Sequence, residues 1–385
     1  MRRLFLLVAA VVLVDTMFFA AVAPLLPHFK DELGLSKTAA GVLTAAYPAG
    51  VFAGSIPGGW MAARYGVKPT LLAGLALLGI SSLFFAFADG IQLLDVARFV
   101  QGIGGASMWA AGMSWLVSAA PPERRGQLIG SALGAAIVGV LLGPVLGGAA
   151  SLVGQEVVFS GVAVVAVCLA AWAWTIPGVP PTPNPGARVV LHAVMRRDVL
   201  AGFWLFSLPA VFAGVLEVLV PLHLDEMEAS GAVIGAVFLI AAAFEALISP
   251  AAGRLSDSRG RLAPIRAGLA GAVVMAVLLP LPHTVLLLAA ALVVVVAALG
   301  TFWAPAMALL SDASERAGLD QALAFSIGNL AWSLGHVLGG GAGGALADAT
   351  SDAVVYGLLG AACALTLAGV MAMGRGAAAR APAAR

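Results

Sequence analysis

The stretch "IPGVPPTPNPGARVVLHAVMRRD", residues 176–198, is the longest interruption in a chain that is otherwise apolar from end to end. Its proline-rich start reads as a stiff linker. Residues 188–198 have the make-up of a short amphipathic helix lying on a membrane surface. On each side stand six apolar runs long enough to cross a bilayer, near 4–27, 38–63, 70–88, 93–118, 128–150 and 157–176, then 199–222, 233–253, 263–281, 284–310, 322–347 and 354–374. The chain of 385 residues is 61% hydrophobic and 10% charged, more apolar surface than a water-soluble fold could bury. The runs are uniform and rich in Gly and Ala, which suits packed helices and lacks the alternation of barrel strands. The expected fold is therefore an all-α membrane protein of twelve spans. Its parts are a six-helix half at 1–176, a central linker at 177–198, a second half at 199–374 and a tail at 375–385.

Charge sets the orientation. Of the 20 Lys and Arg, only Lys30 and Lys37 fall in loops on one side, and Arg98 falls inside a span. All others flank the opposite side, which the positive-inside rule makes cytoplasmic, together with both termini. The opening MRR resembles a signal peptide, but the apolar run behind it is longer than an h-region, so it reads as a span that stays. The compact loops fit a bacterial cytoplasmic membrane. A net charge of +1 gives no case for nucleic acid. Cys168 and Cys363 both lie in apolar runs and suggest no disulfide framework.

The halves repeat. At an offset of 194 residues, Arg2 and Arg3 fall on Arg196 and Arg197, and Pro27 falls on Pro221. Gly41, Gly59, Gly66 and Gly147 fall on Gly235, Gly253, Gly260 and Gly341. Parallel six-helix repeats suggest a transporter whose halves rock around a midplane site.

Three local patterns sharpen that expectation. "GGWMAARYGVKP" between spans 2 and 3 is echoed by "GRLSDSRGRLAP" between spans 8 and 9. Gly59 and Gly253 are expected to let helices approach. Gly66 and Gly260 should make the tight turn, with Arg64 holding it inside. "RFVQGIGGASMW" places Arg98 inside span 4, followed by small residues at Gly102, Gly104 and Gly105. "GVLLGPVLGG" in span 5 spaces Gly139, Gly143 and Gly147 by four into one smooth stripe, with Pro144 removing a backbone donor. That stripe is expected to be the surface on which the halves rock.

Together the three patterns resemble the major facilitator superfamily over essentially the whole chain. The span-5 pattern is similar to that of the twelve-helix drug:proton antiporters. The span-1 acid followed by "APLLP", the span-7 stretch "LEVLVPLHLDEME" and the stretch from "LLSDASERAG" through "GNLAWSLGHVLGG" are similar to vesicular amine transporters. The resemblance implies a monomeric carrier for a small molecule, with protons as coupling ion and no cofactor or metal. Two departures stand out. Ala63 replaces the family's acid in the first loop, so the latch it makes is weakened or shifted to Asp257 in the second copy. Asn329 stands where amine transporters carry a carboxylate.

Buried ionisable residues are the candidate site. Asp15 sits near the middle of span 1, where a charge costs about 2.5–3.5 kcal/mol on insertion scales. It reads as a proton site, a counter-charge for a cationic substrate, or a protonated packing residue. Glu217 lies in span 7 towards its outer end and Glu245 near the middle of span 8. Arg98 needs a partner, and Asp95, one turn away, is the expected one. The resemblance gives Arg98 a role in proton coupling. Asp312 reads as a helix-end residue, which the amine-transporter likeness raises to a candidate. His336, in mid-span 11, carries a group that exchanges protons near neutral pH. Asn329 shares its face. Trp109, Phe302 and Trp303 are candidates to stack on a substrate. The expected function is proton-coupled efflux of small lipophilic or cationic compounds, with proton-coupled metabolite uptake as the alternative. The five histidines form no metal-ligand cluster and no nucleophile–base pair is evident, which argues against an enzyme.

Overall fold

A computed structural model describes residues 2–119, 125–179, 195–317 and 321–380. Among these residues every regular element is helical, and the passages follow the apolar runs in order. They are α1 (Arg2–Leu33), α2 (Lys37–Tyr65), α3 (Val67–Ala86), α4 (Ile91–Ala119), α5 (Arg125–Val153) and α6 (Gln155–Trp174), then α7 (Arg197–Glu226), α8 (Gly231–Arg259), α9 (Leu262–Leu278), α10 (Val285–Arg316), α11 (from Gln321) and α12 (Asp352–Arg380). Nine spans among the described residues are long and apolar enough to cross a membrane, and Leu262–Leu278 is a shorter apolar helix. Leu286 and Leu365, 78% and 75% exposed, belong to an apolar outer surface that only lipid would cover without cost.

Two passages are not uniform helices. α1 stops at Ala20, makes a 3₁₀ turn over Ala23–Leu25 and restarts over Leu26–Leu33. Pro24 and Pro27 each lack the N–H that would carry the ladder through. α11 runs from Gln321 to His336, opens into a π turn at Val337–Ala342 and closes again over Gly343–Ala349.

The repeat is visible in local geometry. Ser36 caps α2 by accepting from the Ala39 N–H, and Ser230, 194 residues on, caps α8 by accepting from Val233. Gly66 (φ 98°) and Gly260 (φ 84°) end α2 and α8 in the region that favours glycine, as the loop motif predicts. The two halves meet along α2 with α11 and along α5 with α8. Gly41 faces Gly340 and Gly344 in the first seam, and Gly235 faces Pro144 and Gly148 in the second. The repeat-related pair Gly41 and Gly235 thus marks two equivalent contacts.

Two glycine expectations are corrected. Gly139, Gly143 and Gly147 do not face the other half. They press on Leu13, Thr16, Met17, Ala20 and Ala21 of α1, so the stripe joins helices within one half. The neighbouring Pro144 carbonyl and Gly148 make the contact between halves instead. Gly59 has open space around it, whereas Gly58 lies against Ser107, continuing a row with Gly50 and Gly54 that lets α2 pack tightly on α4. The small residues of α4 divide their work: Gly102 meets α2, Gly104 meets Gly74 of α3, and Gly105 meets Asp15 and Tyr47. Gly253 and Asp257 fall in α8, but their side-chain surroundings lie outside the described residues.

Candidate functional site

Asp15 on α1 is fully buried. Its Oδ2 accepts from the Tyr47 hydroxyl on α2 at 2.8 Å and from Trp109 Nε1 on α4 at 3.2 Å. Its Oδ1 has no hydrogen-bond partner among the described residues. The carboxylate lies on Gly105, where a Cβ would come within 2.8 Å of the Tyr47 hydroxyl and 3.0 Å of Oδ1. The glycine that follows Arg98 in the span-4 motif is therefore a seat for the acid. Trp109 joins the site as a hydrogen-bond donor to Asp15.

Arg98 is buried, but its partner is not Asp95. Nη1 donates to Gln101 Oε1 at 2.6 Å and to the Phe18 carbonyl at 3.5 Å, and Nη2 donates to the Phe19 carbonyl at 3.2 Å. The guanidinium also lies 4.9 Å from the Tyr47 ring centroid. Oδ1 of Asp95 has no partner among the described residues. The physical reason is the break in α1. Helix carbonyls in a last turn lack intrahelical donors and carry partial negative charge, which suits a cation. Pro24 and Pro27 mark the break in the sequence, but nothing there says which side chain the freed carbonyls would meet, so the nearest acid looked like the partner.

A row of rings links this site to the other half. Phe19 lies 4.9 Å from Tyr47, 5.2 Å from Trp332 and 5.8 Å from His336, centroid to centroid. Trp332 and His336 are 4.3 Å apart. His336 Nδ1 sits 3.2 Å from the Trp332 carbonyl, and Nε2 sits 3.7 Å from Glu217 Oε1 on α7. Both facing atoms are acceptors. A carbonyl can only accept, so the Trp332 contact is made with the hydrogen on Nδ1. At 3.7 Å the contact with Glu217 is a close polar pair between α11 and α7, longer than a hydrogen bond.

Asp15, Arg98, Trp109, Glu217 and His336 are brought together with Tyr47, Phe19, Gln101 and Trp332, which sequence reasoning missed. The signal available for Tyr47 and Trp332 was only an aromatic residue in an apolar run. The remaining candidates stand elsewhere. Glu245 is half-buried beside Gly300 of α10, and Asn329 is half-buried on α11. Asp312 accepts from Arg261, Nε to Oδ2 at 2.7 Å, tying α9 to α10. Phe302 is fully buried against Gly268 of α9, so it is packing and not a stacking surface. Trp303 lies edge-on to Phe206 at 5.2 Å.

Polar ties at the two faces of the bundle differ. On the face with the α1–α2 connection, Lys30 pairs with Asp225 at 2.9 Å and Lys37 with Asp352 at 2.6 Å. There Asp348 also accepts from the backbone N–H of Lys37 and Thr38. All of these cross between the halves. On the N-terminal face the pairs among the described residues, Arg261–Asp312, Arg316–Asp198 and Arg196–Asp198, stay within one half.

Two pseudo-equivalent halves around a buried charged site define a membrane carrier. The model of the Major Facilitator Superfamily matches residues 8–319 and 210–383, and the chain belongs to that family of transporters, not to an enzyme family. It is 33% identical over 140 residues to the MFS-type transporter ppzB of Metarhizium majus, covering 35% of this chain and 30% of that protein. It is 38% identical over 90 residues to the synaptic vesicular amine transporter of Homo sapiens, 23% of this chain and 18% of that protein. It is 29% identical over 122 residues to the multidrug resistance protein MdtL of Shewanella sp., 32% of this chain and 31% of that protein. The matched segments thus span under a third of each relative's length. The fold extends over nearly the whole chain: the D-xylose-proton symporter superposes with a TM-score of 0.73 at 18% identity, covering 95% of this chain and 96% of that one.

Proposed function

We propose that the protein is a secondary active transporter that exports small lipophilic or cationic compounds in exchange for protons, by alternating access. Asp15 carries the reading. It is a fully buried acid with one oxygen saturated by Tyr47 and Trp109 and the other free to take a proton or face a cation. The Glu217–His336 contact offers a second proton position in the other half. Arg98 holds the broken end of α1, and Glu245 and Asn329 add polar groups on α8 and α11. The relatives named as amine and multidrug transporters support a cationic or lipophilic substrate. The arginine-rich N-terminal face is assigned to the cytosol, in a cytoplasmic membrane. The polar ties on the lysine face then describe a carrier closed to the outside.

Proton-coupled uptake of a metabolite is the alternative, favoured by the fold shared with a sugar–proton symporter. Proteoliposomes with an imposed pH gradient separate the two by the direction of coupled flux across a panel of lipophilic cations, amines and neutral drugs. Asp15→Asn is expected to insert normally and to lose substrate-triggered proton flux entirely. Wild-type flux in that variant would remove Asp15 from the mechanism.

A further inference from the structure

Three arginines with described side chains are buried or half-buried, and two of them have side-chain partners: Arg98 meets Gln101 and Arg261 meets Asp312. Arg266 on α9 has none among the described residues. Its Nη2 donates to the Val370 carbonyl on α12 at 3.2 Å, and its Nε is buried without an acceptor. A guanidinium carries five N–H donors and a full charge, so one carbonyl leaves it neither saturated nor neutralised. The start of α9 adds charge of the same sign. Its first turn holds no acid and no side chain caps it, so its free N–H groups form the positive end of the helix.

Arg266 also stands at the outer surface. Ala270 and Val274, one and two turns deeper on its side of α9, are exposed, as is the adjacent Ala267. On α12, Gly369 beside Val370 has open space around it. These small residues leave a shallow groove between α9 and α12 on the lipid-facing surface. Its depth is marked by Trp204 of α7, which is 47% exposed and donates its indole N–H to Thr366 of α12 at 3.0 Å. Exposed tryptophans with an engaged polar edge gather at the membrane interface. Val370 lies one turn beyond Thr366 towards the arginine-rich face, about 6 Å along the helix. Arg266 is therefore held at the level of the lipid headgroups.

We propose that the groove between α9 and α12 binds the phosphate of an anionic phospholipid, with Arg266 as its cation. A planar guanidinium presents paired N–H donors that match two oxygens of a phosphate diester, and the Val370 carbonyl fixes its plane. Basic pockets between spanning helices are a recurrent way to hold a lipid headgroup. The charge balance selects the lipid. No acid among the described residues neutralises Arg266, so a headgroup of net negative charge completes the pair, whereas a zwitterionic headgroup already carries its own ammonium. Ala267, Ala270 and Gly369 leave room for an acyl chain against the two helices. Arg261, five residues earlier, is committed to Asp312 and stays outside the site.

The test needs no substrate. The full-length protein in detergent micelles is titrated with dioleoyl phosphatidylglycerol, dioleoyl phosphatidylcholine or inorganic phosphate, and its thermal unfolding midpoint is followed. Wild type is expected to show a saturable rise with phosphatidylglycerol and no comparable rise with the other two. Arg266→Gln can still donate to the Val370 carbonyl but carries no charge, and it is expected to weaken the apparent affinity for phosphatidylglycerol about tenfold or more. Arg266→Met, which can do neither, is expected to lose the response to the same degree. Arg261→Ala leaves Arg266 in place and is expected to keep the wild-type response. Wild-type affinity in Arg266→Gln, or an equal rise with phosphatidylcholine, overturns the site. An equal rise with inorganic phosphate overturns the lipid as its occupant and leaves a site for a free anion. An equal loss in Arg261→Ala overturns the assignment to Arg266 and makes the response a property of the whole basic face. The comparison of the three additives on the wild type decides even where a variant does not fold.

Discussion

The two faces of the bundle are built differently. At the lysine face, three acids of the second half reach Lys30, Lys37 and the first residues of α2 in the first half. At the arginine face, with far more charge in the sequence, the ion pairs among the described residues stay inside one half. Abundance of charge therefore does not decide where the halves are tied. Position does, because a pair between halves holds the two together and a pair within a half does not.

That contrast can be broken at graded cost. Gly41→Leu should have the largest effect. Any Cβ there runs into the carbonyl oxygen of Gly340 and within 3.2 Å of Gly344 Cα, all backbone that cannot rotate away. Overpacking of this kind costs about 1–3 kcal/mol, and here it acts only on the state with the lysine face closed. Cysteine accessibility near the lysine face should rise about tenfold or more, and gradient-driven transport should fall with it. Asp348→Ala comes next. This acid of α11 accepts from two backbone N–H groups of α2, acting as a helix cap supplied by the other half. Losing a cap costs about 0.5–2 kcal/mol, so the same assay should show an opening of roughly two- to thirty-fold. Arg261→Ala should do least. The Arg261–Asp312 pair is more than a third exposed on both sides and joins α9 to α10 within one half. Exposed pairs contribute about 0–1 kcal/mol, and thermal melting in detergent should move slightly while the open-to-closed ratio stays put. If Arg261→Ala shifted that ratio as much as Asp348→Ala, the distinction between the faces would collapse.

The glycines show how far spacing alone can be read. Gly139, Gly143 and Gly147 are four apart, which fixes that they share a stripe. Spacing cannot say which neighbour the stripe meets, and the structure gives it to α1. Gly66 and Gly260 were legible completely, because a left-handed turn is a property of the local backbone. The offset pair Gly41 and Gly235 was readable as a repeat, but its place at the seams was not.

The sequence by itself determined the all-helical membrane character, the order of the apolar passages, the repeat, the asymmetry of basic residues and the presence of a buried acid in α1. These are one-dimensional properties: run length, period and the cost of charge in an apolar segment. Only the tertiary structure decided that Arg98 turns to the end of α1 and not to Asp95. It alone seated Asp15 on Gly105 between Tyr47 and Trp109, and joined the halves through Phe19, Trp332 and His336. Those contacts join residues far apart in the chain, and a polar group takes whichever partner the packing brings within reach.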